Sequence, residues 1–553
     1  MTIQAWLAFD GVGDRKARGA FFTPPELADF LAGWAVRSPR DRVLDPSCGE
    51  AALLLAAGRR LRALGGRPAL HGFDLHLPSI DAARQLLAQQ GFKGDLQVAD
   101  FFDIPPQPSF DAVIGNPPYI RYQSFAGGDR LKAQQAALAQ GVRLSGLANA
   151  WAAFVIHATA FLKPGGRLAV VLPAVLLSVN YAAPIRRFLL GGFRSVKLVM
   201  FEERVFPDVQ EEVVLLLAEG AGPTPQFDVF QVRDVLGLQA IAGMPATVAR
   251  PWRPALADDK WTEALLPADV REVYGRTTGG PQFDTLLGWG DTDLGMVTGN
   301  NKYFTLTAPE VANLGLKPRE LKRISPPGSR HLRGLTFTNS TFDEMAQAGH
   351  RVFLFHPDAE RPSAAALQYI RRGEAQSVHE AFKCAVRSPW WRVPIVRIPD
   401  LFLTYMNQDT PRLVANPAGV AHLNSVHGVT LKPDRRALGL ELLPLAMLNS
   451  VTLLGAELVG RSYGGGILKI EPKEADQLPM PAPSLIAAAA ERLHTLVPQA
   501  ARGLRSNQLA AVVRAVDEVL APHAGLETAD LAALSDAHDM MVARRQSRSG
   551  SPR

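Results

Sequence analysis

Residues 42 to about 220 alternate short, mostly apolar runs with stretches whose apolar positions recur every three or four residues. RVLDP (42–46), ALHGFD (69–74), DLQVAD (95–100), DAVIGN (111–116), RLAVVLP (167–173) and EEVVLLLAEG (211–220) predict buried strands, because near-continuous apolar runs of this length suit strands covered on both faces. Between the first three, LLLAAGRRLRALGG (53–66) and SIDAARQLLAQQG (79–91) carry helical spacing with glycine at their ends as a stop. Strand, helix, strand in that order predicts a doubly wound parallel sheet. Such sheets bind ligands outside the carboxyl ends of their strands.

The rhythm then changes. AGPTPQ (221–226), with a glycine and two prolines, reads as a linker, and residues 227 to about 480 show short β-like runs, many prolines and arginine–aromatic clusters. From Ser484 to about Arg545 the chain is rich in alanine and leucine at helical spacing, and the polar tail RRQSRSGSPR (544–553) is expected to be disordered. The expected organisation is a first domain over 1–225, a second, mixed α/β domain over 226–482, and a helical segment with its tail over 483–553.

A length of 553 residues fits about three domains. With only Cys48 and Cys384 there is neither a disulfide framework nor a CxxC zinc pair, and no metal site is visible. The N-terminal stretch lacks the charged and apolar regions of a signal peptide, and no apolar run approaches the ~20 residues that span a bilayer. A cytoplasmic protein, without membrane contact, is the expectation. The net charge of +6 is mild for this length and selects no partner by itself.

The chemistry-bearing residues gather at predicted strand ends. Asp45, Pro46, Ser47, Cys48, Gly49, Glu50 and Ala51 follow the first strand, where a carboxylate and a tight turn of small residues let backbone approach a nucleotide-like ligand at a helix N-terminus. An ordinary strand-to-helix turn has the same look. Asp74 ends the second strand and suits the two hydroxyls of a ribose; Asp100 and Phe101 end the third, as an acceptor for an adenine amino group and a ring to pack on the base.

Asn116, Pro117, Pro118 and Tyr119 follow the fourth strand. The prolines fix φ, so the Asn116 side-chain oxygen and the Pro117 carbonyl are held as neighbouring acceptors for the two hydrogens of an exocyclic amine, while Tyr119 offers a stacking face. An aryl amine is a poor nucleophile because its lone pair is delocalised into the ring. Gripping both N–H bonds localises the pair toward an electrophilic methyl, and the grip strengthens as positive charge grows on nitrogen. No general base is needed.

Together these motifs resemble the γ-class S-adenosylmethionine-dependent DNA amino-methyltransferases, most closely the adenine-N6 enzymes with a TaqI-like target-recognition domain. The resemblance implies a Rossmann-like class I methyltransferase sheet, S-adenosylmethionine as cofactor and double-stranded DNA as partner. Arg18, Gly19, Ala20, Phe21, Phe22, Thr23, Pro24 and Pro25 are similar to the family's FTP element, which implies that Phe22, Thr23 and Pro24 meet the methionine end of the cofactor. Asp45 to Gly49, with Pro46 and Cys48, match its DPxCGxG turn, in which Ala51 stands where the pattern has its last glycine. By the same match Asp74 binds ribose, Asp100 and Phe101 bind adenine, and NPPY is the catalytic tetrad, its Asn116 also bordering the cofactor. Arg204, Val205, Phe206 and Pro207 resemble a later motif in which Phe206 would be the second wall, with Tyr119, of a pocket for a base rotated out of the duplex. A phenylalanine before a strand is also a common core residue.

The second half carries candidate DNA contacts. Lys317, Arg319, Lys322, Arg323, Arg330 and Arg333 cluster with one acid, Glu320, and Arg387, Arg392 and Arg397 surround Trp390 and Trp391. Basic residues neutralise phosphates and a subset can reach base edges, although a basic run can equally be a solvated face. The stretch TGNNK (298–302) with Phe304, and RSYGGGILKIEP (461–472), resemble TaqI-like recognition domains, adding Arg461, Tyr463 and Lys469. The expected function is a self-contained, nucleoid-associated DNA adenine-N6 methyltransferase of a restriction–modification or defence system. A separately encoded cognate endonuclease is the expected partner, with no nuclease fused ahead of the FTP element. Cytosine N4 is the alternative target, and a protein-glutamine or RNA methyltransferase, or an inactive DNA-binding defence component, are the others.

Overall fold

The computed structural model describes residues 23–120, 127–203, 205–206, 212–244, 247–463 and 465–547. The expected Phe22 contact, the rest of the FTP element before Thr23, and Arg204 and Pro207 of the later motif lie outside them. The chain divides into two compact units, 1–265 with 547–553, and 266–546.

The first unit is built on a nine-stranded sheet. Its strands are β1 (Arg42–Asp45), β2 (Ala69–Asp74), β3 (Gly94–Val98), β4 (Phe110–Gly115), β5 (Leu162–Pro173), β6 (Ser195–Phe201), β7 (Val213–Glu219), β8 (Phe227–Val232) and β9 (Arg250–Trp252), in spatial order 3-2-1-4-5-7-6-8-9. Helices α1 (Pro25–Ala35), α2 (Ala52–Ala63), α3 (Leu77–Gln89), α4 (Gly127–Ala139), α5 (Ala150–Thr159) and α6 (Ala183–Gly192) punctuate it. α2 and α3 occupy the two stretches of helical spacing, and every run read as a strand forms one.

Three expectations are corrected. The sheet is not wholly parallel: β7 lies between β5 and β6 and runs antiparallel to both. Residues 202–212, which join β6 to β7, are too few for the crossover of a dozen or more residues that parallel neighbours require. The segment 221–226 is a turn, not an interdomain linker. Its Thr224 N–H donates to Leu190 O at 2.8 Å, and β8 then pairs in parallel with β6, so the first unit runs on to Leu265. Its prolines do break regular structure, but the break falls inside the sheet.

The third correction concerns the C-terminus. Helices at Pro483–Ala488, Ala490–Arg505, Leu509–Ala524 and Thr528–Ser547 fulfil the helical spacing, and they belong to the second unit rather than to a separate segment. The last helix carries Arg544 and Arg545 past the point where disorder is expected. Arg545 is buried against the equally buried Glu457, with Nη2 to Oε1 at 2.8 Å and Nε to Oε2 at 3.0 Å. Removing one member of such a pair strands a buried charge, a loss of about 3–5 kcal/mol. The sequence shows two arginines in a polar tail; the buried acceptor of Arg545 is 88 positions away.

The rest of the second unit is a four-stranded antiparallel sheet in the order 290–294, 426–431, 401–404, 413–415, with three-stranded sheets and helices around it. Among the described residues no single helix is long and apolar enough to cross a membrane; the bent pair Arg436–Ala446 and Ser450–Val459 is composed largely of buried residues.

Ala51 shows how the sequence accommodates the first turn. It is fully buried at φ 65° and ψ 28°, in the left-handed region, where the family pattern has glycine. Ala51→Gly relieves the Cβ clash but frees the unfolded chain and removes a buried methyl, so its stability should stay within about 1 kcal/mol of the parent. Ala51→Val should cost about 2 kcal/mol or more, because a branched side chain at this φ is strained and overpacked. Urea unfolding of the pair checks this; equal stability would mean that the turn relaxes out of the left-handed region.

Candidate active site

The carboxyl ends of β1, β2 and β4 meet around one turn. Asp45 closes β1 and is almost fully buried, and its Oδ1 accepts the Ser47 N–H at 3.1 Å. Gly49 takes φ 49°, turning its N–H to Asp74 Oδ2 at 2.9 Å, while Asp74 Oδ1 accepts the His76 N–H at 2.9 Å. Asp74 therefore ties the turn after β1 to its own. Cys48 joins them through its N–H to Phe73 O at 2.9 Å, and Gly72 makes room for it: a Cβ there would lie 2.9 Å from the Cys48 sulfur.

Burial, with a smaller push from the Asp74 charge, raises the Asp45 carboxyl to about 8 despite the Ser47 N–H, so it stays largely protonated at neutral pH. Burial, then Asp45 and Asp74, pushes the Cys48 thiol up, so it is no thiolate nucleophile. Neither Asp45 nor Asp74 has a cationic partner among the described residues.

At the end of β4, Asn116 Nδ2 donates to Thr23 Oγ1 at 3.4 Å, so the FTP threonine reaches the tetrad across 93 residues of chain. Ser47 Oγ donates to Asn116 O at 3.3 Å, which joins the tetrad to the β1 turn. The Asn116 Oδ1 is buried and accepts no hydrogen bond among the described residues. Pro117 is buried and Pro118 half-buried. Tyr119 is buried, and its hydroxyl donates to Val171 O of β5 at 3.1 Å, which fixes the ring's orientation. Phe206 is buried as well, in the same unit.

The adenine-binding expectation needs correction at one ring. Phe101 is 3% exposed and packed among Phe73, Phe154, His157 and Phe161, with ring centroids 4.7–6.0 Å away. It is a core residue, and its ring has no open face for a base; its neighbour Phe102 is the half-buried one. Asp100 accepts the Phe102 N–H at 3.0 Å through Oδ1 and Lys132 of α4 at 3.2 Å through Oδ2. Lys132 escapes sequence reading because a lysine on an amphipathic helix looks like any solvated charge.

In the second unit the candidate DNA contacts fall into two groups. Several are engaged within the fold. Arg323 donates to Asn339 Oδ1 at 2.8 Å and lies over the Phe342 ring, Arg333 pairs with Asp409 at 2.7 Å, and Arg461 pairs with the buried Glu474 at 2.6 Å. Lys469 pairs with Glu471 at 2.8 Å beside Tyr405 and Tyr463. Trp390 packs at the edge of an aromatic core with Tyr303 and Phe304. Arg387 is tied to the carbonyls of Val297 and Thr298. By contrast, Lys317, Arg319, Lys322 and Arg330 are exposed without an ion pair among the described residues, and Tyr463 is half-exposed. Arg392 gives one N–H to the Pro357 carbonyl and has no carboxylate partner there.

Comparison with known proteins places both halves. The N-6 DNA Methylase family matches residues 12–227, and the family "Type II methyltransferase M.Eco57I, C-terminal domain" matches residues 258–521. Among curated proteins, the Type II methyltransferase M.XamI of Xanthomonas campestris pv. amaranthicola is 25% identical over 505 residues, covering 87% of this chain and 88% of its own. M.AccI of Acinetobacter calcoaceticus is 21% identical over 472 residues, covering 84% and 85%. Among solved structures, the Type IIL restriction-modification enzyme MmeI, in complex with DNA, shares the fold: TM-score 0.57, 12% identity, 97% of this chain and 76% of that one.

Proposed function

We propose that this chain, whose residues 12–227 match the N-6 DNA Methylase family, is an adenine-N6 DNA methyltransferase of the Type II restriction–modification kind that holds S-adenosylmethionine at the carboxyl ends of β1 to β4 beside an adenine turned out of the duplex. The Asn116 Oδ1, buried and unpaired among the described residues, carries this reading. A buried acceptor without a donor costs about 1–3 kcal/mol, and an amine N–H of the target base would relieve it.

The donor set also suits the cofactor. Asp45 and Asp74 border a turn of small residues and form no ion pair among the described residues, which fits a ligand carrying positive charge and ribose hydroxyls. Bound there, S-adenosylmethionine supplies an electrophilic methyl on a positively charged sulfur. Asp74, already fixed by two backbone N–H groups, keeps lone pairs for the ribose. Asp100 accepts the adenine amino group, Thr23 and Pro24 border the methionine end, and Asp45 and Cys48 shape the floor. Asn116 Oδ1 and the Pro117 carbonyl accept the two N–H bonds of the target amine, and Tyr119 and Phe206 flank its ring. As the nitrogen becomes positive both hydrogen bonds shorten into charge-assisted ones, so the grip favours the transition state over the bound base. The second unit reads the DNA, and a separately encoded endonuclease of matching specificity is its partner in the cell.

Unmethylated genomic DNA incubated with the protein and labelled S-adenosylmethionine should yield N6-methyladenine in the nucleoside digest. N4-methylcytosine would move the target and keep the grip; no labelled base, with cofactor bound, would overturn the reading.

The Asp45 carboxyl predicts the pH dependence of cofactor binding. Its native value is raised above the unfolded one, so between about 4 and about 8 the folded state holds a proton that the unfolded state has released, and its contribution to stability falls as pH rises through that window. A cationic ligand favours the ionised form, so binding expels the proton. Affinity for S-adenosylmethionine should therefore climb as pH rises toward about 8, by at most roughly tenfold per pH unit, and level off above it. Calorimetry across pH in two buffers of different ionisation enthalpy checks the proton release, and Asp45→Asn should flatten the profile.

A further inference from the structure

In the second unit a recess of about 190 Å³ is lined by Arg319, Lys322, Arg361 and Arg392 together with Glu320, His356 and Asp358. The strand at Leu321–Arg323 pairs antiparallel with Phe353–Phe355, which brings two distant segments of chain together. Side chains alternate along a strand, so Lys322 turns to the recess while Arg323 turns away to lie over Phe342. The contiguous basic run is thereby split, and Arg361, from a separate turn, completes the cluster.

Both carboxylates in the lining are already used by backbone. Glu320, almost fully buried, accepts the Lys317 N–H at 2.8 Å and the Ser363 N–H at 3.2 Å. Asp358 Oδ1 accepts the N–H groups of Glu360 at 2.9 Å and Arg361 at 2.8 Å. None of the four cations forms an ion pair among the described residues, so the recess holds four positive groups against two carboxylates. Buried His356 feels that excess. Burial first, then Arg392 and Lys322, pushes its imidazole down to about 4, and it stays neutral.

We propose that this recess grips a single backbone phosphate of duplex DNA, with Arg319, Lys322, Arg361 and Arg392 around the two free oxygens of one phosphodiester. The inference rests on the DNA-methyltransferase reading and deepens it. An anion supplies the charge that the lining lacks, and planar guanidinium groups match phosphate oxygens in pairs. The volume lies below the ~300–1,000 Å³ of pockets that enclose drug-sized ligands, so a phosphate group fits where a whole nucleotide does not. Three of the cations, Arg319, Lys322 and Arg361, are exposed, within reach of a group carried on a polymer.

The test is duplex affinity of the full-length protein against salt concentration, for the parent and for an Arg361→Gln, Lys322→Gln variant, with S-adenosylmethionine affinity and thermal stability as folding controls. Both side chains are exposed, so the controls should not move. The variant should bind about tenfold more weakly at near-physiological salt, equally for cognate and unrelated duplexes, and the slope of log affinity on log salt should shrink by about one. Arg361→Lys should retain the parent slope. A duplex with a neutral methylphosphonate at the gripped position should bind the parent weakly and the variant no worse than ordinary duplex. Unchanged affinity and slope in the glutamine variant, or a loss confined to cognate duplex, would overturn the proposal while leaving methylation intact. Binding of inorganic phosphate or ATP that depends on Arg361, with duplex affinity unchanged, would assign the recess to a free anion instead. A parent protein that neither binds nor methylates duplex DNA overturns the functional reading and this inference with it.

Discussion

Asn116→Ala is expected to lower methyl transfer to DNA by about three orders of magnitude, with S-adenosylmethionine affinity within roughly threefold of the parent. On the proposed reading the substitution removes one of the two acceptors on the target amine and leaves Pro117 alone. A single acceptor neither holds both N–H bonds nor balances the charge that develops on nitrogen, and removing one preorganised hydrogen-bond partner in such sites costs roughly 10²–10³ in rate. The bond to Thr23 is lost as well, at 3.4 Å a long one, so the effect on folding is small. Single-turnover methylation with saturating cofactor measures the chemical step, and isothermal calorimetry measures the cofactor. A near-parental rate would sink the amine grip; a collapse of cofactor affinity with an unchanged rate at saturation would make Asn116 a cofactor residue only.

Asp74→Ala should show the opposite split. On the proposed reading it loses a charged acceptor for the ribose hydroxyls, worth about 1.5–3 kcal/mol, or roughly 10–150-fold in cofactor affinity, while turnover at saturation falls far less. The structure adds a second consequence. The alanine also orphans the Gly49 and His76 N–H groups, so thermal stability should drop with it, by about 1–2 kcal/mol. Asp74→Asn separates the two effects. It keeps one oxygen for a backbone donor and loses the charge, so it should recover part of the stability and little of the affinity. Unchanged calorimetric binding in the alanine variant would remove the ribose assignment.

The two residues differ in how visible they are. NPPY is a contiguous tetrad at the end of an apolar run, and the chemistry proposed for it is read from neighbouring atoms: prolines fix φ, and acceptors beside each other would fit an amine. Asp74 is one acid among many, legible only because its run is a strand and the residue ends it. The bracing of Gly49 by Asp74 links positions 25 apart and has no local signature. The same holds for Lys132 on Asp100, and for Phe101, whose position beside an acid suggests a ligand while its ring belongs to a cluster built by Phe73, Phe154, His157 and Phe161.

Strands β6, β8 and β9 escaped the reading for a related reason. SVKLVMF and FDVFQV mix polar residues into apolar runs, and β9 is three residues long at the sheet's edge, so only pairing reveals them as part of the same sheet. Among the basic residues the density of charge at 317–333 is plain in the sequence, but ion pairing sorts it. Arg333 is held by Asp409, 76 positions on, and Arg323 by Asn339 and Phe342, whereas Arg319 and Lys322 form no ion pair among the described residues and line one recess with Arg361 and Arg392.

By itself the sequence determined what depends on residues close together along the chain: apolar periodicity and so six of the nine strands of the first sheet with α2 and α3, glycine and small residues at the first turn, and the adjacency of Asn116 and Pro117 after β4. Only the tertiary structure decided what depends on segments meeting across the fold. That includes the reversed β7, the extent of the first unit to Leu265, the contact of Thr23 with Asn116, the burial of Phe101 and Arg545, and the assembly of four cations into one recess. The physical reason is that burial and hydrogen-bond partners are set by which surfaces the chain brings together, and a side chain's role follows its partners.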